Sequence, residues 1–186
     1  MRANRGVTLI ELIIAIVLIG IVVTAITTAL YPQSRQSAQI VHASRAAELG
    51  HAVLDEVLSR KFDHNSGELG GLPVCISTND ALKVGEKRCT DPAQLGPDTN
   101  AEKADDGRTV FNDIDDYHGL TGKVQDVIGG DLTERYSNFS VAVSVFYDVN
   151  RDGTADPQKG DIKRVNVRVT DPAGNRYDFA VYRGNF

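Results

Sequence analysis

Residues 1–31 read MRANRGVTLIELIIAIVLIGIVVTAITTALY. A short basic leader carrying Arg2 and Arg5 ends at Gly6. An apolar run of about 25 residues follows, from Val7 to Tyr31. At about 1.5 Å of rise per residue, such a helix crosses a hydrocarbon core of about 30 Å. Leu12 to Val23 contains no polar side chain. Its Ile and Val content suits a strand, but a strand of this length is excluded, so the run is a helix. Glu11 is the one carboxylate inside it. A charge near the bilayer centre costs about 2.5–3.5 kcal/mol even on the lenient insertion scale, so a partner is expected. The simpler reading places Glu11 at a membrane surface.

A secretory signal peptide has a shorter apolar region and a small-residue cleavage site. This run is longer and ends in Leu30-Tyr31-Pro32. A generic signal anchor accounts for the run but not for Gly6 and Glu11 at their spacing. The string Gly6-Val7-Thr8-Leu9-Ile10-Glu11-Leu12 resembles the processing site of type IV pilins and type II secretion pseudopilins. The resemblance implies cleavage by a prepilin peptidase between Gly6 and Val7, and N-methylation of Val7. It also implies an assembly role for Glu11, opposite a neighbouring subunit's N-terminus. Val7 stands where the family usually has phenylalanine.

The leader places positive charge on the N-terminal side of the apolar run, so that end starts in the cytoplasm and the rest lies across the inner membrane. The 186-residue chain carries a net charge of −5, which excludes a basic nucleic-acid face. Residues 32–186 are enough for one domain with a core. Cys75 and Cys89 lie in a Gly/Pro-rich segment without histidine nearby. In an oxidising periplasm they read as one disulfide. Closing a loop of about 15 residues contributes about 3 kcal/mol in the chain-entropy account.

Past Pro32, which is expected to kink the helix, Ile40, Ala43, Ala47, Leu54, Val57, Leu58 and Phe62 recur mostly at three- and four-residue steps. The helix is therefore expected to continue to about Lys61, with one stripe on a core. Residues 63–137 read as a loop region stapled by the disulfide. Within it, Phe111 to Gly119 holds Asp113, Asp115 and Asp116. Such oxygen-rich strings can bind calcium. The simpler reading is a solvated acidic turn.

Residues 138–186 are β. Phe139, Val141, Val143, Val145 and Tyr147 alternate with other residues, as do Val165, Val167 and Val169, and then Tyr177, Phe179 and Val181. Short links favour an antiparallel meander. The fold class is thus α+β, a type IV pilin-like arrangement of a long kinked helix packed on that meander. The parts are a leader at 1–6, a transmembrane or filament-core half-helix at 7–31, and a periplasmic domain at 32–186. In that domain the helix continues over 32–62.

Between the first two strands, Asp148, Asn150, Asp152 and Asp156 stand at positions one, three, five and nine, with Gly153 at six. This matches the start of an EF-hand-type calcium loop, in which the Thr154 carbonyl also ligates. The twelfth position is Lys159 rather than an acid, and a polar hairpin turn needs the same residue types. His42, His51, His64 and His118 are scattered and read as surface or interface side chains. No nucleophile elbow, phosphate loop or organic-cofactor motif is present, so a non-enzymatic protein is expected.

Further likeness appears in Ala46 to Gly50, Leu54 to Leu58, Lys61 to Ser66, the Cys75/Cys89 loop, Leu95 to Asp98 and Phe111 to Gly119. These look like MshD-type minor pilins of mannose-sensitive haemagglutinin (MSHA) pili. That likeness implies other pilins, an inner-membrane assembly platform and a final place on the cell surface. A minor pseudopilin of a type II secretion system is the alternative. From another class comes a signal-anchored periplasmic calcium-binding or enzymatic domain that forms no filament.

Overall fold

The computed structural model describes residues 8–67, 72–103, 110–123 and 135–186, and for 30–38 the backbone alone. The elements are α1 (Leu9–Leu58) and the strands β1 (Thr121–Lys123), β2 (Ser140–Tyr147), β3 (Ile162–Thr170) and β4 (Arg176–Gly184). Among the described residues, the 3-10 turns Pro92–Gln94 and Asp115–Tyr117 lie between α1 and β1. The chain forms two compact units, Met1–His42 and Ala43–Phe186. The bend expected at Pro32 falls on side chains outside the described residues.

The first unit is the N-terminal part of α1. Leu9–Ala29 has a mean hydropathy of 3.0, and none of its residues is buried within the protein. Its three threonines do not leave their hydroxyls unsatisfied. Thr24 Oγ1 donates to the Gly20 carbonyl at 2.8 Å, Thr27 Oγ1 to Val23 at 2.9 Å, and Thr28 Oγ1 to Thr24 at 3.0 Å. Back-bonding of this kind lets a helix carry hydroxyls through an apolar medium.

The second unit begins in the same helix. The buried face there is Ala46, Leu49, Gly50, Val53, Leu54 and Val57, with the steps of a stripe turned on a core. This differs in part from the stripe expected from sequence. Ile40 is exposed and Ala47 only half-buried, because the row anchored on Ala46 and Leu49 meets the sheet instead. Gly50 is required by packing. A Cβ there would lie 2.4 Å from the Phe179 ring. The helix ends at Leu58, slightly short of the expected Lys61.

The sheet is antiparallel with order β1-β2-β3-β4. The three alternating segments expected from sequence are β2, β3 and β4. The short β1, pairing Thr121–Lys123 with 140–142, lies in the region expected to be loop. Three residues without apolar alternation carry no strand signal of their own. Across β2 and β3, Val141 faces Val169, Val143 faces Val167 and Val145 faces Val165. All six are buried. Phe139 and Tyr147 extend this face at its two ends. The next pair in register is Tyr147 with Lys163, so strand periodicity sends a lysine into the core.

Cys75 and Cys89 form a disulfide with a Cα–Cα distance of 4.9 Å. Both are buried. Asn185 Nδ2 donates to the Cys75 carbonyl at 2.8 Å, tying the loop to the end of β4.

Candidate functional site

Thr8 caps α1. The Glu11 N–H donates to Thr8 Oγ1 at 3.4 Å, and Leu12 N–H to the Thr8 carbonyl at 3.2 Å. Thr8-Leu9-Ile10-Glu11 thus has the spacing of a capping box, with the acid at the third helical position. A carboxylate in the first turn is also favoured by the partial positive charge of the helix N-terminus. The local geometry holds Glu11 at the head of the bare apolar segment. Gly6 and Val7 lie outside the described residues.

The 148–156 loop turns between β2 and β3 through positive-φ residues Arg151 and Gly153. Asp148 is fully buried. Its Oδ1 accepts the Asp152 N–H at 3.0 Å, and its Oδ2 accepts the Gly153 N–H at 2.9 Å and the Tyr182 hydroxyl at 3.1 Å. Arg164 Nη1 stands 3.8 Å from the same Oδ2. Asp156 Oδ2 accepts the Val149 N–H at 2.8 Å, and Asp152 Oδ1 accepts the Thr154 N–H at 2.7 Å. Asn150 Nδ2 donates to Asp152 Oδ2 at 2.9 Å. Backbone donors and Arg164 therefore engage the oxygens that sequence assigned to a cation. Among the described residues, acidic groups that converge within 4.8 Å occur elsewhere and do not include these three aspartates.

One such convergence is Asp98, Glu102 and Asp116. Glu102 Oε2 accepts the Thr99 N–H at 2.8 Å, and Oε1 accepts Asn112 Nδ2 at 2.7 Å. Burial acts to raise the Glu102 acid, but these donors together with Asp98 bring it down to about 2. Burial and the hydrogen bond to Glu102 raise Asp98. His64 Nδ1 sits 3.6 Å from Asp98 Oδ2. His51, His64 and His118 are exposed and His42 is half-buried.

The acidic string 111–119 corrects the sequence expectation. Rather than a solvated turn, it is core. Asp113, Asp115 and Asp116 are buried along with Phe111, Ile114 and Tyr117. The carboxylates satisfy the string's own backbone. Asp113 Oδ1 accepts the Asp115 N–H at 2.7 Å, and Asp116 Oδ2 accepts the Asn112 N–H at 2.8 Å. The Ile114 N–H donates to the Lys61 carbonyl at 3.0 Å, docking the string on the chain leaving α1.

Lys163 meets this string from β3. Its Nζ donates to Asp115 Oδ2 at 2.7 Å, to Asp63 Oδ2 at 3.1 Å and to the Phe62 carbonyl at 3.0 Å. The Phe62 and Tyr147 rings wall it, with centroids at 4.3 and 4.9 Å. Burial, with the charges of Asp115 and Asp116 adding to it, pushes Asp113 up to about 8. Burial pushes Asp115 up to about 7 against the opposing pull of Lys163. Sequence reasoning passed over Lys163. The signal was present, since extending the Val165-Val167-Val169 alternation two residues back puts Lys163 on the inward face.

Neither a curated protein nor a solved structure gives a significant match to the chain. Residues 1–27 match the family model of the prokaryotic N-terminal methylation motif, and that match supports a type IV pilin or pseudopilin.

Proposed function

We propose that the chain is a minor pilin of an MSHA-like pilus, acting in filament assembly, initiation and surface attachment after its leader is removed. The observation that carries this reading is the N-terminal segment. A methylation motif leads into a capped helix whose Leu9–Ala29 stretch is strongly apolar and has no residue buried in the protein. A soluble domain has no use for such a surface. A membrane first and a bundle of like helices later both cover it. Prepilin peptidase cuts between Gly6 and Val7, Val7 is methylated, and Glu11 meets the positive N-terminus of a neighbour. Pairing inside the bundle removes the cost of leaving that carboxylate alone in lipid. The working partners are the peptidase, other pilins and the inner-membrane platform. The domain at 43–186 is then presented at the cell surface.

The experiment is incubation of the full precursor with prepilin peptidase, read by mass spectrometry. Loss of residues 1–6 and addition of one methyl group are expected. An intact N-terminus sinks the reading in favour of a signal-anchored domain. A pseudopilin of a secretion system shares the processing, and separates from a pilin by the filament into which the mature chain is recovered.

The same reading assigns calcium to Asp148, Asn150, Asp152, Thr154 and Asp156, on the spacing of their oxygens. Arg164 competes for Asp148, and the ion must displace it. A bound ion stabilises the folded state, so the Tm is expected to fall on adding chelator. An unchanged Tm removes calcium from the account.

A further inference from the structure

We propose that Lys163 and Asp115 are joined by an intramolecular isopeptide bond, an amide between Lys163 Nζ and Asp115 Cγ, formed in the pocket walled by Phe62 and Tyr147 with Asp63 as the proton acceptor. The reacting groups are already in contact, with Nζ 2.7 Å from Asp115 Oδ2. Both side chains are withdrawn from solvent, Lys163 at 0% exposure and Asp115 at 2%. Water, which is both the product and the competing nucleophile, is kept out.

The two carboxyls beside Lys163 are not equivalent. Asp63 Oδ1 accepts the Asn65 N–H at 3.0 Å, and its Oδ2 accepts the Thr90 N–H at 2.7 Å as well as Lys163. Asp63 Oδ2 is thus the oxygen placed to receive a proton from Lys163 Nζ. Asp115 Oδ1 has no hydrogen-bond partner among the described residues, although it is buried. Burial raises the Asp115 acid, which favours its neutral form. A neutral acid is an electrophile at carbon, whereas a carboxylate is not. Two ions in a dry pocket also cost more than the neutral amide that replaces them.

The step balances without any co-reactant. One ammonium proton passes from Lys163 to Asp63. The amine lone pair forms the N–Cγ bond, and the Cγ=Oδ1 electron pair moves onto Oδ1. A second proton passes from nitrogen to the Oδ2 hydroxyl, which leaves as water as the Cγ=Oδ1 bond reforms. Lysine loses two protons, one held by Asp63 and one carried off in the water. Proximity supplies the driving geometry, since two groups fixed in contact react as one molecule.

The bond ties β3 to the segment preceding β1, across 48 residues. That segment also holds the chain leaving α1, through the Ile114 N–H on the Lys61 carbonyl. The cross-link therefore fastens the sheet covalently to the chain leaving α1, close to the disulfide, whose sulfurs lie within 4.8 Å of an Asp63 carboxylate oxygen.

The test uses the full chain extracted from membranes in detergent, reduced, and read by intact mass and peptide mapping. The expected mass is lighter by one water than the sequence after N-terminal processing, with a branched peptide joining Lys163 to Asp115. Lys163→Arg and Asp115→Ala are expected to show no loss. Asp115→Asn keeps a reactive amide carbon at the same place, so it loses ammonia instead and reaches the same final mass as wild type. Asp63→Asn is expected to leave the pair unreacted in a chain that still resists protease. A wild-type chain of full mass without a branched peptide overturns the proposal, leaving a buried ion pair. A branch to Asp63 overturns the assignment of Asp115, and a cross-linked Asp63→Asn chain overturns the role of Asp63.

Discussion

Leu9–Ala29 and residues 43–58 belong to one helix, α1, and differ in what surrounds them. In the first stretch Leu18, Ile19, Ile21 and Val22 are all exposed. In the second, Leu49, Val53 and Val57 are buried against the sheet. The two glycines make the same contrast. A Cβ at Gly20 would meet nothing within 4 Å, while one at Gly50 would strike the Phe179 ring. Helix formation alone does not say which side of a helix is used. One stretch is complete only with other molecules around it, and the other is complete within its own domain.

The sharpest way to break this contrast is at Glu11. In the proposed assembly, Glu11→Ala leaves leader removal intact but abolishes incorporation into the filament, with no change in the domain's Tm. Immunoblots of sheared filaments against membranes measure this, and wild-type levels in the filament fraction would sink the role.

Within α1, paired substitutions are expected to separate the two stretches. Leu49→Ala removes a fully packed side chain and costs about 2–5 kcal/mol, whereas Leu18→Ala leaves domain unfolding unmoved. Gly50→Ala overpacks against Phe179 and costs about 1–3 kcal/mol, whereas Gly20→Ala has no effect on the domain. Denaturant melts of each pair decide the matter. Equal effects within a pair would show that the two stretches are not distinct.

A further effect is one of pH, in the covered part. Asp113 titrates at about 8 when folded and near about 3.9 when unfolded. Between those values the folded state holds the extra proton. Stability is therefore full below the unfolded value and falls as pH rises through about 8. Asp113→Asn cannot ionise and keeps an oxygen for the Asp115 N–H. Melts across that window are expected to show a shallower loss for the variant. Asp116, raised by its burial, leaves part of the slope in place.

The acidic strings show how far a sequence reading carries. Residues 111–119 and 148–156 both look like polar turns rich in aspartate. The first is buried and meets Lys163, while the second carries exposed Asn150 and Asp152 and buries only its first aspartate. Composition does not separate them, because burial is decided by which segment lies against which. The turn from Asp171 to Asn175, by contrast, is held within its own five residues, since Asp171 Oδ1 accepts the Ala173 and Asn175 N–H groups.

The sequence by itself determined the local features. These are the apolar helix with its acid at Glu11, the three alternating strands, the turns and the pairing of the only two cysteines. Each depends on neighbours within a few residues or, for the cysteines, on the lack of another choice. Tertiary structure alone decided that Asp63, Asp115 and Lys163 share one pocket, that Gly50 makes room for Phe179, and that Arg164 stands beside Asp148. Those meetings join residues far apart in the chain, and contact between distant segments is set by packing of the whole core rather than by any local period.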